Sequence, residues 1–421
     1  MTAGHGGAGG SAAGLRLAIF SDTYPPQING LTRTLDRLVP AITARGGEVR
    51  VVTVADPDAP DEPQVERWPS IPFWAYPQLR IAAPARGRAL DLVERWKPTL
   101  IHSVTEFGVG LGGLIAAREA RIPFVSSYHT HFEQYIRFYK LDWLDVIAWP
   151  YLRWFHNSGR CTWAPSRMVA EELGAHGFRD TRVWSRGVEH ARFNPSWRSR
   201  ALRERLGAGD DTVLVAYVGR LAPEKGLDVA LAAMRLVLER ATAQVAFALA
   251  GDGPAEARYR AVAPRGSVFT GRLTGRELSE FYASADVFLF PSITETFGNV
   301  LLEAMASGLA VIAPDGGATT ELATTETALQ FPARDAVALS ERVERLVRDA
   351  PLRRRLAAAA LAEASGRTWD AVFDRLVEDY RSVLGCGRPG EGARPSSPRS
   401  WSYSRRRTPP SLEKKALDGW L

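Results

Sequence analysis

The sequence predicts an α/β chain made of two doubly wound parallel sheets that face a central cleft. Three observations carry this. Short apolar runs alternate with stretches of helical periodicity, the pattern of parallel strands with helices on both faces. The alternation occurs twice, on either side of an interruption at Arg186 to Pro195, where Gly187, Asn194 and Pro195 break it. The chain's 421 residues also exceed what one core ordinarily covers.

In the first half, Leu15 to Phe20 reads as a strand, Leu31 to Arg45 as a helix and Val49 to Val54 as the next strand. The stretch Asp56 to Arg80 holds Pro57, Pro60, Pro63, Pro69, Pro72 and Pro77, which argues irregular or edge structure. The strand Leu100 to Val104, a helix near Leu111 to Ala120 and the strand Phe124 to Tyr128 follow. The second half repeats the arrangement with strands at Val213 to Val218, Ala246 to Ala250, Val268 to Thr270, Val287 to Phe290 and Ala310 to Ala313. Leu227 to Arg240 and Asn299 to Ala306 carry helical periodicity between them, and Trp369 to Leu384 forms a last helix. The expected division is an amino-terminal domain over residues 15–188 and a carboxy-terminal domain over 189–368, with the helix at 369–384. Residues 1–14 are rich in Gly and Ala, and residues 385–421 in Pro, Gly, Ser and Arg; both are expected to be disordered.

Composition narrows the class. With 45% hydrophobic and 24% charged residues the chain is globular, and no apolar run reaches the length of a spanning helix. The first residues lack the basic region and apolar core of a signal peptide. Two cysteines, Cys161 and Cys386, fit a reducing cytoplasm better than a disulfide framework. The net charge is +6, and residues 386–421 alone hold eight Lys or Arg against three Asp or Glu. That reads as a solvated basic tail, with anionic lipid or nucleic acid as the alternative partners.

Two segments bear the chemistry. Pro291 to Glu303 sets Glu295 and Glu303 eight positions apart across a loop-to-helix junction, and Gly298 lets the backbone approach a ligand at the helix N-terminus. Glu295 should lie beyond the strand's carboxyl end, where open parallel sheets bind ligands, and Glu303 two turns into the helix. Upstream, the strand ending at Gly219 runs into a loop carrying Arg220 and Lys225, two cations suited to a diphosphate. Each segment alone also fits ordinary surface chemistry: a glutamate near a helix start, or Arg220 and Lys225 paired with Glu224. In the first half, Asn29 and Gly30 could turn backbone N–H groups toward a phosphate, in a loop that lacks the dinucleotide glycine pattern. His129 ends a strand and should project into the cleft; His131 beside it makes a metal pair conceivable, without a third ligand at spacing. From Tyr135 to Phe155, aromatics interleave with Arg137, Lys140 and Arg153, which suits an acceptor groove, a membrane interface or simple core packing.

Together the segments resemble the retaining glycosyltransferases of family 4, which have the GT-B fold of two Rossmann-like domains. The matching residues are Gly219 to Gly226, Ala250 to Pro254, Glu295 to Gly308 and Ala164 to Ser166, and the resemblance spans about Leu15 to Leu384. Within the family, Thr23 to Thr32, Ser127 to His131 and Gly187 to Pro195 are most similar to bacterial GDP-mannose-dependent α-mannosyltransferases that act on lipid-linked acceptors. The resemblance implies that Arg220 and Lys225 hold the donor diphosphate, Glu303 the ribose hydroxyls and Glu295 the sugar hydroxyls. His129 matches the active-site histidine. Gly30, Gly219, Phe297, Gly298, Asn299 and Val300 complete the donor site, and the last helix crosses back to the first domain. It also implies a nucleoside diphosphate sugar as donor substrate, no obligatory metal or other cofactor, and a lipid-linked or glycan acceptor; no nucleic-acid partner is expected, although the resemblance does not reach the basic tail, which leaves a tail-led nucleic-acid binder as a further reading. A cytoplasmic protein with a peripheral contact to anionic membrane fits the resemblance. Two more readings stay open beside it: a UDP-sugar-dependent enzyme of the same family, and a catalytically silent protein that binds sugar nucleotide or lipid. His131 departs from the mannosyltransferase pattern, and Ala318 and Thr319 depart from the family's Gly-Gly-Pro step before Glu321.

Overall fold

Apolar runs of four to seven residues become buried strands when helices cover both faces of a sheet, and the runs singled out above do so here except Val268 to Thr270, which forms a half-buried edge strand. The computed structural model describes residues 10–27, 29–73, 76–129, 145–240 and 244–385. Its strands are β1 Arg16–Phe20, β2 Glu48–Val54, β3 Val65–Trp68, β4 Ser70–Phe73, β5 Tyr76–Ala82, β6 Leu100–Ser103, β7 Phe124–Ser127, β8 Thr162–Ala164 and β9 Thr181–Val183 in the first half. The second half holds β10 Val213–Val218, β11 Val245–Ala250, β12 Val268–Gly271, β13 Val287–Leu289, β14 Ala310–Pro314 and β15 Ala328–Phe331. Helices of the first half are α1 Gly30–Ala44, α2 Arg86–Trp96, α3 Gly108–Ala120, α4 Asp145–His156 and α5 Arg167–Ala175. Those that follow are α6 Arg200–Arg205, α7 Leu227–Arg240, α8 Glu256–Val262, α9 Gly275–Ser284, α10 Asn299–Ala306, α11 Ala336–Arg348, α12 Ala350–Ser365 and α13 Trp369–Gly385.

Among the described residues these strands form two sheets of parallel pairs, ordered β3-β2-β1-β6-β7-β8-β9 and β12-β11-β10-β13-β14-β15, and an antiparallel hairpin β4-β5. Strand alternation splits each sheet into two apolar faces. Leu17 and Ile19 of β1 pack with α1 and α13, whereas Ala18 and Phe20 pack with α2 and α3. In the second sheet Leu214 and Ala216 share a core with α9, α10 and α12; Val213, Val215 and Tyr217 share one with α7 and α11. The Pro-rich stretch 56–80 supplies the edge strand β3 and most of the hairpin, and α2 is an element the sequence patterns did not resolve. Gly10 to Gly14, expected to be disordered, pack onto the first sheet instead: Ala12 is fully buried and its N–H donates to the Arg45 carbonyl at 2.8 Å. Residues 1–9, His131 and the tail from Cys386 lie outside the described residues.

The chain passes between the halves twice, and the passages run side by side. Val188 bridges to Thr368, and its N–H donates to the Arg367 carbonyl at 2.9 Å. Gly187 makes this approach feasible, because a Cβ there would stand 2.5 Å from the Trp369 nitrogen. Helix α13 then crosses onto the first sheet, burying Phe373, Leu376, Val377, Tyr380 and Val383 among Leu17, Ile19 and Val51.

Candidate functional site

Parallel strands expose their carboxyl ends along one edge, and each segment singled out in the sequence follows such an end. Beyond β10, Gly219 leads into the loop of Arg220, Leu221 and Lys225. This loop rests on the Gly251-Asp252-Gly253 turn after β11. The Leu221 N–H donates to the Asp252 carbonyl at 2.7 Å, and a Cβ on Gly251 would collide with the Gly219 carbonyl at 1.9 Å. The glycines of that motif therefore let two backbones touch.

The loop after β13 lies against the same place. Lys225 Nζ is 2.5 Å from Glu295 Oε1, and the Thr294 hydroxyl donates to the Glu224 carbonyl at 3.2 Å. Arg220 pairs with Glu224, so the surface pair weighed in the sequence exists alongside the cluster. Gly298, at φ +95°, begins α10 without a side-chain cap. Helix N-terminal N–H groups left without a capping side chain favour anions. The opposite holds at α1: the Asn29 side chain accepts from the Leu31 and Thr32 N–H groups, both at 2.9 Å, and so caps its own helix.

Glu303 is the fifth residue of α10, one turn in where the sequence suggested two. It accepts from the Tyr282 hydroxyl at 3.0 Å and faces Arg33 Nη1 of α1 at 3.8 Å. Burial pushes its carboxyl up from the ordinary range, against the pull of Arg33 and Tyr282. Gly30 sits opposite Asn299, so closely that a Cβ would come within 2.9 Å of Asn299 Nδ2. Phe297 is buried in the second sheet's core, and Val300, half-buried, packs at its margin.

His129 follows β7, and its carbonyl lies 3.5 Å from the Thr296 hydroxyl, beside Glu295. Its ring packs edge-on against Trp184 at 5.2 Å. Burial and the nearby Arg186 hold its pKa well below the usual histidine value. Arg186 itself went unsuspected in the sequence. Nothing in spacing links positions 57 apart that follow different strands, yet Arg186 Nη2 stands 2.9 Å from His129 Nδ1. Burial brings that guanidinium down to about 10. Glu321 was likewise unassigned. It accepts from the Met168 N–H at 2.8 Å, joining the Ser166 side chain at the start of α5, so the Ala318 to Glu321 turn braces the other half.

The arrangement thus collects two cations, two carboxylates, an uncapped helix start and a neutral imidazole where the two sheet edges meet. Among the described residues, no three His, Cys, Asp or Glu side chains gather as a metal site. No described helix is long and apolar enough to cross a membrane.

Comparison with known proteins agrees with this architecture. The pattern of Glycosyltransferase Family 4 matches residues 28–192, and that of Glycosyl transferases group 1 matches residues 212–349. A GDP-mannose-dependent alpha-mannosyltransferase of Mycobacterium tuberculosis (strain CDC 1551 / Oshkosh) is 35% identical over 381 residues, 88% of this chain and 98% of that one. The chain belongs to glycosyltransferase family 4. This glycosyltransferase is also similar to the alpha-monoglucosyldiacylglycerol synthase of Streptococcus pneumoniae, 31% identical over 314 residues and 71% of each chain. Sucrose-phosphate synthase from Thermosynechococcus elongatus shares the fold, with a TM-score of 0.69 at 20% identity over 88% of this chain and 99% of that one. The glycosyltransferase therefore has the expected GT-B fold, its last helix crossing back to the first sheet.

Proposed function

We propose that this retaining glycosyltransferase moves mannose from GDP-mannose to a hydroxyl of a lipid-linked or glycan acceptor, with an α-linkage in the product. The observation that carries the reading is the Lys225–Glu295 contact of 2.5 Å. It sets a cation fit for a diphosphate beside a carboxylate fit for sugar hydroxyls, at the carboxyl edge of the second sheet. Arg220 and Lys225 hold the diphosphate, whose charge grows as the glycosidic bond breaks. Glu303 takes the ribose hydroxyls, Glu295 the sugar hydroxyls, and His129 donates to the sugar from the first sheet. Gly30 and the start of α10 at Gly298 and Asn299 flank the phosphates.

In the transfer, the bond from the anomeric carbon to the leaving phosphate oxygen breaks while a bond to the acceptor oxygen forms on the same face. The leaving phosphate takes the acceptor's proton, so no protein nucleophile is used. The two cations do what Mg²⁺ would do elsewhere. Glu295 and Glu303 are too differently engaged to act as a hydrolytic acid and base pair.

The donor named for the mycobacterial relative supports GDP-mannose, and the glucosyl product named for the streptococcal one favours a UDP-sugar as the second reading. A lipid acceptor is supported by the exposed Phe107, Ile147 and Trp154 on the first half, with Arg118 stacked 5.2 Å over Trp154. Such a mixed face suits peripheral contact with an anionic membrane on its cytoplasmic side. The test measures nucleotide release from a panel of sugar nucleotides, with and without lipid extract and in EDTA. GDP release from GDP-mannose that depends on lipid and survives EDTA is expected, and Lys225→Ala should reduce it by about 10²-fold or more. UDP release instead, or a strict requirement for Mg²⁺, contradicts the reading; no turnover with any donor would favour the silent binding protein.

A further inference from the structure

His129 is gripped from one side by a cation whose own place is fixed. Arg186 is 5% exposed and lies in the first passage between the halves, next to Gly187. Its Nη1 donates to the carbonyls of Trp184 at 2.9 Å and Ser185 at 3.2 Å, and its guanidinium lies 5.3 Å over the Trp184 ring. Its Nη2 faces His129 Nδ1 at 2.9 Å. A guanidinium can only donate, so Nδ1 must accept, and the imidazole proton belongs on Nε2. Among the described residues, Nε2 is buried and has no hydrogen-bond partner. A buried N–H without an acceptor is costly, and here the acceptor is what a bound sugar would bring.

We propose that Arg186 is a positioning residue that fixes His129 as an Nε2–H hydrogen-bond donor toward the donor sugar and bars it from acting as a general base there. This rests on the proposed place of His129 at the sugar. An Nε2 that already carries its proton can bind a hydroxyl oxygen but cannot take the acceptor's proton. That proton must go to the leaving phosphate, as the balance of the transfer step above requires. The neighbourhood opposes a second proton on the ring: the ring is buried, and the Arg186 guanidinium is adjacent. The ring plane is set by the same passage, because Trp184 packs on the imidazole and supplies a carbonyl to Arg186.

The test uses full-length protein labelled with ¹⁵N in its histidine rings, His129 being assigned from the spectrum of His129→Gln. Wild type should show Nε2 protonated and Nδ1 bare, and Arg186→Met should abolish that fixed tautomer. The same variant should lower kcat about tenfold or more while KM for the donor moves less than about threefold, and Arg186→Lys, which keeps one donor, should recover part of the loss. In a His129→Ala background, Arg186→Met should cost little further. An Nδ1–H tautomer in wild type overturns the proposal. So does a loss from Arg186→Met that persists in full without the histidine. If Arg186→Met does not fold, the wild-type spectrum and Arg186→Lys decide. An Nε2–H spectrum in a protein that turns over no sugar nucleotide supports the Arg186 pairing and overturns the transfer reading alone.

Discussion

At φ +70°, Gly226 turns the chain from the Arg220 loop into α7, and a Cβ on it would stand 2.6 Å from the Pro291 carbonyl oxygen. The two loops that hold Lys225 and Glu295 therefore touch through this glycine. Gly207 has a similar φ of +78° with nothing within 4 Å of an added Cβ. Replacing either by Ala forces a left-handed L-residue and costs about 1–2 kcal/mol. Only Gly226→Ala also pushes the loops apart, since the colliding atom is backbone and cannot swing aside. Gly226→Ala should thus lose transfer by about tenfold or more, as a misplaced catalytic loop does, whereas Gly207→Ala should be destabilised and fully active. Denaturant unfolding alongside initial rates separates the two effects. Equal activities in the two variants would show that the contact with Pro291 does not set the site.

Among elements, β6 and α13 meet through a buried histidine. His102 Nδ1 is 2.8 Å from the Tyr380 hydroxyl of α13, and Nε2 is 3.0 Å from the Ser127 hydroxyl. Both partners can donate or accept, so a neutral ring is satisfied in either tautomer, and among the described residues neither hydrogen-bond partner is a carboxylate that would favour a cation. Burial lowers its pKa from 6.5 to about 3. The unfolded chain therefore binds a proton below about pH 6.5 that the folded chain refuses. The stability this group contributes is fully present above that value and is lost as pH falls toward 3. Between pH 7 and 5 the loss is about 2 kcal/mol. His102→Asn should flatten the pH dependence of unfolding by about that amount over the same interval; an unchanged slope in the variant would place the acid sensitivity elsewhere, His129 being the other candidate. The helix that carries Tyr380 was legible from its periodicity, and so were the strands that feed the site. The β4-β5 hairpin was not, since prolines remove ladder donors and hide the strand signal. The candidate site's charged residues, Arg220, Lys225, Glu295 and Glu303, stood out in the sequence because they occur in recognisable local segments. Pairings such as Lys225 with Glu295 or Arg186 with His129 join distant positions, and only the assembled sheets determine them.

For the molecule as a whole, α13 completes the face of the first sheet that α1 covers only in part. It buries Phe373, Leu376, Val377, Tyr380 and Val383, and Arg45 of the first half ties its start through Asp374 at 2.7 Å and Asp370 at 3.1 Å. Five such side chains contribute about 10 kcal/mol at roughly 1.5–3 kcal/mol each. That is comparable to the whole net stability of about 5–15 kcal/mol for a typical domain. A chain ending at Thr368 would leave Leu17, Ile19 and Val51 with only the α1 half of their cover on that side of β1 and β2, and it should fail to fold or aggregate. A chain ending at Gly385 keeps each of those contacts and loses only the segment with eight Lys or Arg against three Asp or Glu. Its melting temperature and its kinetics with soluble donor should match the full chain. If the basic segment contributes to membrane contact, the loss should appear as weaker binding to anionic vesicles that is steepest at low salt. A drop in kcat for the chain ending at Gly385, measured with a water-soluble acceptor, would show instead that the last 36 residues act on the site itself.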